Sequence, residues 1–288
     1  MALAADRSRD LASPVAPSIA AGRFRRHARS MAIGLGAVAL LLLVWWLAVL
    51  VFQPPPFILP RPGAVLATLV SDWSFLAGQA RVTAAEMVLG LLVGAGLGIA
   101  TALLLSLSSV AERLARPVLI ISQALPVFAI APLLVLWFGF GMASKVVMAA
   151  LIIYFPVASA FLDGLRRTDP GLLDLARLNG ARPLQTLRII RVPAALPALA
   201  SGLRVAATIA PIGAVVGEWV GASAGLGFVM LQANARMQTD QMFAALALLA
   251  ALAIALRLVA DGLIARLVPW DTADGGPDGE PHSLHTAP

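Results

Sequence analysis

Six long apolar runs dominate this chain, at residues 31–52, 83–107, 117–138, 144–162, 194–216 and 242–268. A bilayer core about 30 Å thick takes about 20 mostly apolar residues per helical crossing, and each run reaches roughly that length. Unpaired backbone polar groups are not tolerated in hydrocarbon, so such runs are helices and not open strands. The expected fold is therefore all-α, a polytopic membrane protein with six transmembrane helices. Composition agrees: hydrophobic residues make up 60% and charged residues 12%, against about 25% charged in soluble domains. That apolar content excludes disorder for the bulk of the chain, and the absence of cysteine excludes a disulfide scaffold and thiolate metal chemistry. The net charge of +6 would suggest nucleic acid in a soluble protein. Here most basic residues flank apolar runs, so the partner they imply is a lipid bilayer and no nucleic acid.

Orientation follows from where those charges sit. Six Lys or Arg lie in residues 1–30, two in 108–116 and six in 163–192, while the alternate connections carry only Arg61, Arg81, Lys145 and Arg236. The positive-inside rule places the first group of segments, and with six spans both termini, in the cytoplasm. The first run is too long for a cleavable signal, and Gln53-Pro54-Pro55-Pro56 follows it in place of a small-residue cleavage site. It reads as a retained anchor. Three regions result: a disordered basic cytoplasmic arm at 1–30, a six-span body at 31–268 and a disordered tail at 269–288. Between the first two spans, Pro60-Arg61-Pro62 predicts a rigid start to an interfacial helix over 63–78, with Trp73 and Phe75 at headgroup level.

The connection at 163–193 is far longer than two neighbouring spans need. Thr168-Asp169-Pro170 offers a capping side chain followed by Pro at the first helical position, and Asn179-Gly180 offers a left-handed stop, which predicts a helix over 170–178. Leu172, Leu173, Leu175, Ala176 and Leu178 give it an apolar face, and Pro183 opens a second, basic helical stretch with Arg182, Arg188 and Arg191 at its edge. Such a hairpin either lies on anionic lipid or docks into a groove of a cytoplasmic partner.

Asp174-Leu175-Ala176, Gly180, Ile190, Val192 and Pro193 resemble the EAA motif of binding-protein-dependent ABC importer permeases, E-A-A-x3-G-x9-I-x-L-P, at every spacing. Asp174 stands for Glu, Leu175 for the first Ala and Val192 for Leu, which leaves a carboxylate one methylene shorter at the first position. The resemblance extends over 57–268. Phe57-Ile58-Leu59-Pro60-Arg61-Pro62, the stretches Ala124-Leu125-Pro126 and Leu136-Trp137-Phe138-Gly139, and Gly217-Glu218 followed by Ser223-Ala224-Gly225-Leu226-Gly227 look like the nitrate, sulfonate and taurine branch. Within that branch, residues 211–244 look most like permeases for hydroxymethylpyrimidine, a thiamine precursor. The resemblance implies a bacterial inner-membrane location and a cytoplasmic coupling helix in which Asp174, Leu175, Ala176, Arg177, Gly180, Ile190 and Pro193 meet the ATPase. It further implies three partners: a second copy of the permease, an ABC ATPase dimer, and a periplasmic or lipid-anchored solute-binding protein. The sequence has no G-x4-G-K-[ST] phosphate loop, so ATP and Mg belong to the partner ATPase, with no cofactor and no catalytic residue expected in this chain.

Other patterns are weaker. Gly90, Gly94 and Gly98 repeat every four residues and read as a packing seam. Gly221-Ala222-Ser223-Ala224-Gly225 matches the hydrolase pattern G-x-S-x-G, but His27, His282 and His285 all fall in the two terminal arms, leaving no base and no metal site in the spans. Among charges in or near the runs, Arg81, Lys145, Arg257 and Asp261 lie within reach of an interface, whereas Glu86, Arg204 and Glu218 lie deeper. Arg204 could meet an anionic substrate or Glu86. Glu218 could order the turn after it or touch substrate, and Pro126, Pro132 and Pro211 mark either simple kinks or a translocation path. Substrate-path candidates are thus Pro126, Arg204, Pro211 and Glu218. A reading from another class, an ion-coupled secondary transporter, would use Glu86, Arg204 or Glu218 as its coupling site, though no inverted repeat is visible.

Overall fold

Apolar runs become helices wherever the backbone has no water to bond. In the computed structural model, which describes residues 19–108, 110–111, 113–114, 117 and 126–270, helix accounts for every regular element among the described residues. The chain divides into two units, residues 1–62 and 63–288. The first holds α1 (Ile19–Phe52), which begins inside the stretch expected to be a disordered arm. It stops where Gln53 takes φ 42 and three prolines follow, because proline has no N–H to continue the ladder. The Trp45 indole N–H donates to the Pro60 carbonyl at 3.1 Å, folding the proline segment back along α1. Residues 1–18 and the tail from 271 lie outside the described residues.

The second unit runs α2 (Pro62–Ser71), α3 (Trp73–Ser106), α4 (Val127–Phe138), α5 (Met142–Arg166), α6 (Pro170–Leu178), α7 (Pro183–Thr186), a π-helical turn (Leu187–Arg191), α8 (Val192–Gly221), α9 (Leu226–Ala235) and α10 (Thr239–Leu267). Five stretches are long and apolar enough to cross a membrane: Ala32–Phe52, Trp73–Ser106, Met142–Arg166, Pro183–Gly221 and Thr239–Leu267. Of the third expected span, 117–138, the structure describes Pro117 and the C-terminal part that forms α4; residues 118–125 lie outside the described residues.

Two expectations need correcting at the start of this unit. The interfacial helix is shorter than 63–78, ending at Ser71, and the second-span helix starts ten residues early, at Trp73 and not at 83. A single residue makes the break: Asp72 leaves helical geometry with ψ 16 while its N–H still bonds the Thr68 carbonyl and its carbonyl accepts from Leu76. No glycine or proline marks that turn. Trp73 and Phe75 consequently belong to the first turn of α3, whose 34 residues make it about 51 Å long.

Small residues place α5 between α3 and α8. A Cβ added at Gly94 would lie 2.7 Å from the Ala150 carbonyl oxygen, and one at Gly98 would lie 2.9 Å from that of Tyr154. Gly90 presses on the Ala149 side chain. From α8, a Cβ on Gly213 would fall 2.7 Å from the Ala149 Cα, and one on Gly202 3.1 Å from the Pro156 carbonyl oxygen. The expected seam is therefore real, and α8 supplies a second one that converges with it on Ala149 of α5. Larger side chains (Phe161, Leu162, Leu165, Leu187, Leu199) fill the space at the end of the bundle nearest α6. Outside this core, α4 packs on α5 through Ala131, Leu134 and Met148, and α10 packs on α8 through Ala200, Ile264 and Val268.

Candidate functional site

At one end of the bundle sits α6, and local chemistry defines both of its ends. Asp169 Oδ1 accepts from the Gly171 N–H at 2.7 Å and Pro170 occupies the first helical position, so the orphan donors of the first turn are partly met. At the other end Gly180 takes φ +70, its N–H bonds the Arg177 carbonyl at 2.9 Å and the Ala181 N–H bonds that of Ala176 at 3.0 Å. This pair of bonds is the Schellman stop, which needs a left-handed residue. Ala176 is buried, while Leu172, Leu175 and Leu178 stand exposed, Leu178 by 86%. Asp174 pairs with Arg177 at 2.8 Å on the open surface, a contact of little energetic weight that holds the guanidinium beside the leucine ridge. Ile190 is half-buried in the π-turn and Pro193 is exposed at the start of α8. All seven expected coupling residues thus lie on one continuous segment, with Ile190 and Pro193 beyond α7.

The opposite end is organised by a clamp that the sequence reading saw only in part. The N–H groups of Gly225, Leu226 and Gly227 at the entry to α9 find no cap in their own segment, since the capping position, Gly225, has no side chain. They are met from other helices: Gly225 N–H donates to Gln79 Oε1 at 2.7 Å, Leu226 N–H to Thr83 Oγ1 at 2.8 Å, and Gly227 N–H to Glu218 Oε2. Thr83 in turn donates its hydroxyl proton to Glu218 Oε1 at 2.6 Å. Glu218 thus bonds the turn directly through Oε2 and, by way of Thr83, indirectly through Oε1, at the N-terminal end of α9. Gly225 has φ +112, and a Cβ there would run into the Glu218 carboxylate. Lys145 is buried nearby and donates to the Phe140 and Gly141 carbonyls at 2.6 and 2.9 Å, closing the α4–α5 turn from inside. Glu86, also buried, keeps Oε2 without a hydrogen-bond partner among the described residues. Gln79, Thr83 and Glu86 recur at four- and three-residue spacing on α3, and that polar stripe on an apolar helix was the signal for the two missed residues.

Arg204 does not approach Glu86. It faces Asp261 on α10 at 3.4 Å, and Arg257 pairs with the same carboxylate at 2.8 Å while bonding the Arg204 carbonyl and the Thr208 hydroxyl. Arg257 and Asp261, placed by the sequence within reach of an interface, tie α10 to α8. Pro211 is buried in the middle of α8 and Pro126 is exposed at the start of α4.

Residues 94–270 match the model of the binding-protein-dependent transport system inner membrane component. The chain belongs to this family. The permease is 52% identical over 231 residues to a probable ABC transporter permease protein of Haemophilus influenzae, covering 80% of this chain and 94% of that one. It is 34% identical over 232 residues to the formylaminopyrimidine transport permease protein ThiX of Halalkalibacterium halodurans, with 80% and 93% covered. The inward-facing MetNI methionine ABC transporter shares its fold, at TM-score 0.58 and 21% identity over 68% of this chain and 96% of that one. The permease is accordingly a multi-pass inner-membrane subunit of an ABC importer, and its work is transport, not catalysis.

Proposed function

We propose that the permease forms, with a second copy of itself, the translocation path of an importer driven by a separate ATPase dimer that docks on α6, and that both termini face the cytoplasm. A periplasmic or lipid-anchored binding protein delivers the solute to the opposite, clamped end, and ATP and Mg stay on the ATPase. The observation that carries this reading is the capped α6 helix with Leu172, Leu175 and Leu178 exposed in a row, the arrangement by which an amphipathic helix enters a partner's groove. In the same reading residues 31–268 are the working body and 1–30 and 269–288 are appendages. A pyrimidine precursor of thiamine is the proposed solute, supported by the likeness to ThiX.

Gentle detergent extraction of the tagged permease from its native membrane, followed by mass spectrometry, tests the assembly. A stoichiometric ATPase is the expected companion; its binding protein is then screened against aminopyrimidines, taurine, alkanesulfonates, nitrate and riboflavin. A permease that emerges alone and still transports without ATP would establish an ion-coupled secondary transporter instead.

Two substitutions probe the docking helix. Gly180 has open space around its Cα, so Gly180→Val acts through backbone strain alone, at about 1–2 kcal/mol. Insertion is expected to survive while solute movement per ATP falls; wild-type transport would remove α6 from the mechanism. Charge reversal at Arg177 and Arg182, both exposed, is expected to lower the co-purified ATPase several-fold without lowering the yield of permease. An unchanged ATPase content would place the docking surface elsewhere.

A further inference from the structure

The two chain segments that enter and leave the docking region meet at one side chain. Arg191 Nε donates to the Leu165 carbonyl at 3.1 Å, and its Nη1 donates to the Ser106 carbonyl at 3.0 Å. Leu165 closes the end of α5 just before α6, and Ser106 is the last residue of α3. Their carbonyls belong to the helix ends that have no donor of their own and carry partial negative charge, so a guanidinium answers both needs at once. The Leu165 oxygen also accepts from the hydroxyl of buried Thr168 at 3.2 Å, which locks the approach to α6 from the other side.

Arg191 ends a π-turn at the point where the docking segment joins α8. Pro193 and Pro197 remove two N–H groups from the first turns of α8. The turn over Leu187–Arg191 closes with Val192 N–H on the Leu187 carbonyl, holding one residue more than an α-turn. One extra residue rotates everything before it by about 100° relative to α8. Arg191 itself has helical dihedrals, φ -68 and ψ -43, and continues directly into α8, so the extra residue sets the direction in which the docking segment leaves it.

We propose that Arg191 is the strut through which displacement of α6 reaches the spans: it binds the exit of the docking segment to its entrance and both to α3, so that α3, α5 and α8 shift together. This rests on the docking role of α6 proposed above. Arg191 acts as a positioning residue and touches neither solute nor nucleotide.

The test uses the complete importer, permease with its co-purified ATPase in proteoliposomes, with ATP hydrolysis measured with and without the companion binding protein as purified. The binding protein acts at the clamped end and the readout is at α6, so the stimulation factor reports transmission between them. Normalised to ATPase content, Arg191→Gln is expected to reduce that factor about tenfold, within the range by which single residues tune coupling. Arg191→Lys keeps the charge without the fork and is expected to fall between. A merely structural role would lower ATPase content and leave the factor alone. A wild-type factor in Arg191→Gln overturns the proposal, and if that variant does not assemble, a wild-type factor in Arg191→Lys overturns it equally. A wild-type permease that carries no ATPase would overturn the docking role itself, and this shows before any variant is compared.

Discussion

Gly213→Leu is expected to leave no stable permease. The first atom of the new side chain would fall 2.7 Å from the Ala149 Cα, and a backbone atom cannot turn aside as the tip of a flexible side chain can. The helices must separate, and Gly90 of α3 already presses on the same Ala149 side chain, which leaves it no room to shift. Overpacking inside a well-filled core costs about 1–3 kcal/mol, and a clash with main chain belongs at or beyond the top of that range. Thermal stability of the monodisperse protein in detergent measures the loss. Gly96→Leu is the matched control, because Gly96 is on the same helix as the first seam but has nothing within 4 Å of its would-be Cβ. It is expected to stay near wild type. Equal midpoints for the two variants would mean that the seams do not determine helix spacing.

Glu218→Ala is expected to abolish transport while the ATPase remains bound. The substitution strands the Gly227 N–H and leaves the Thr83 hydroxyl with only the Gln79 carbonyl at 3.4 Å as acceptor. Each buried donor left unpaired costs about 1–3 kcal/mol, and the first turn of α9 loses the negative charge that suits its dipole. Glu218→Gln sharpens the test. With the amide oxygen on the Gly227 N–H, the NH2 group faces the Thr83 hydroxyl, which must turn its proton from a 2.6 Å bond to the Gln79 carbonyl at 3.4 Å. A loss of about 1.4 kcal/mol is a factor of ten, and at least that decrease in ATP-driven uptake is expected for Glu218→Gln, with the alanine variant lower. Thr83→Val should follow the same direction, since it removes the link from Leu226 N–H to Glu218. Full uptake in Glu218→Gln would show that the turn is dispensable.

What could be read beforehand divides along physical lines. Crossing helices, the seam at Gly90, Gly94 and Gly98, and the bounds of α6 were legible because each depends on near neighbours in the chain: run length, a four-residue repeat, a Pro-side cap and a glycine stop. The break at Asp72 was passed over, since Ser71-Asp72 suits a turn or a helix cap but no glycine or proline stands beside it and the Asp72 side chain makes no capping bond. Helix α9 was hidden for a related reason. Its capping groups come from Gln79, Thr83 and Glu218, so nothing beside Leu226 announces a helix start. Arg191 read as one more basic residue on a surface, and only the tertiary placement of Ser106 and Leu165 gives it two carbonyls to hold. Arg204 had two open partners until α10 brought Asp261 beside it.

The paired glycine seams also govern how the core responds to temperature. Drawing α3 or α8 away from α5 within the bilayer would exchange close main-chain contact for contact with acyl chains and wet almost nothing. The large heat-capacity increment that bends the stability curve of water-soluble proteins comes from hydrating apolar surface, and this step hydrates very little. Helix separation in the core should therefore have a free energy that falls nearly linearly on warming, with no maximum near room temperature and no weakening in the cold.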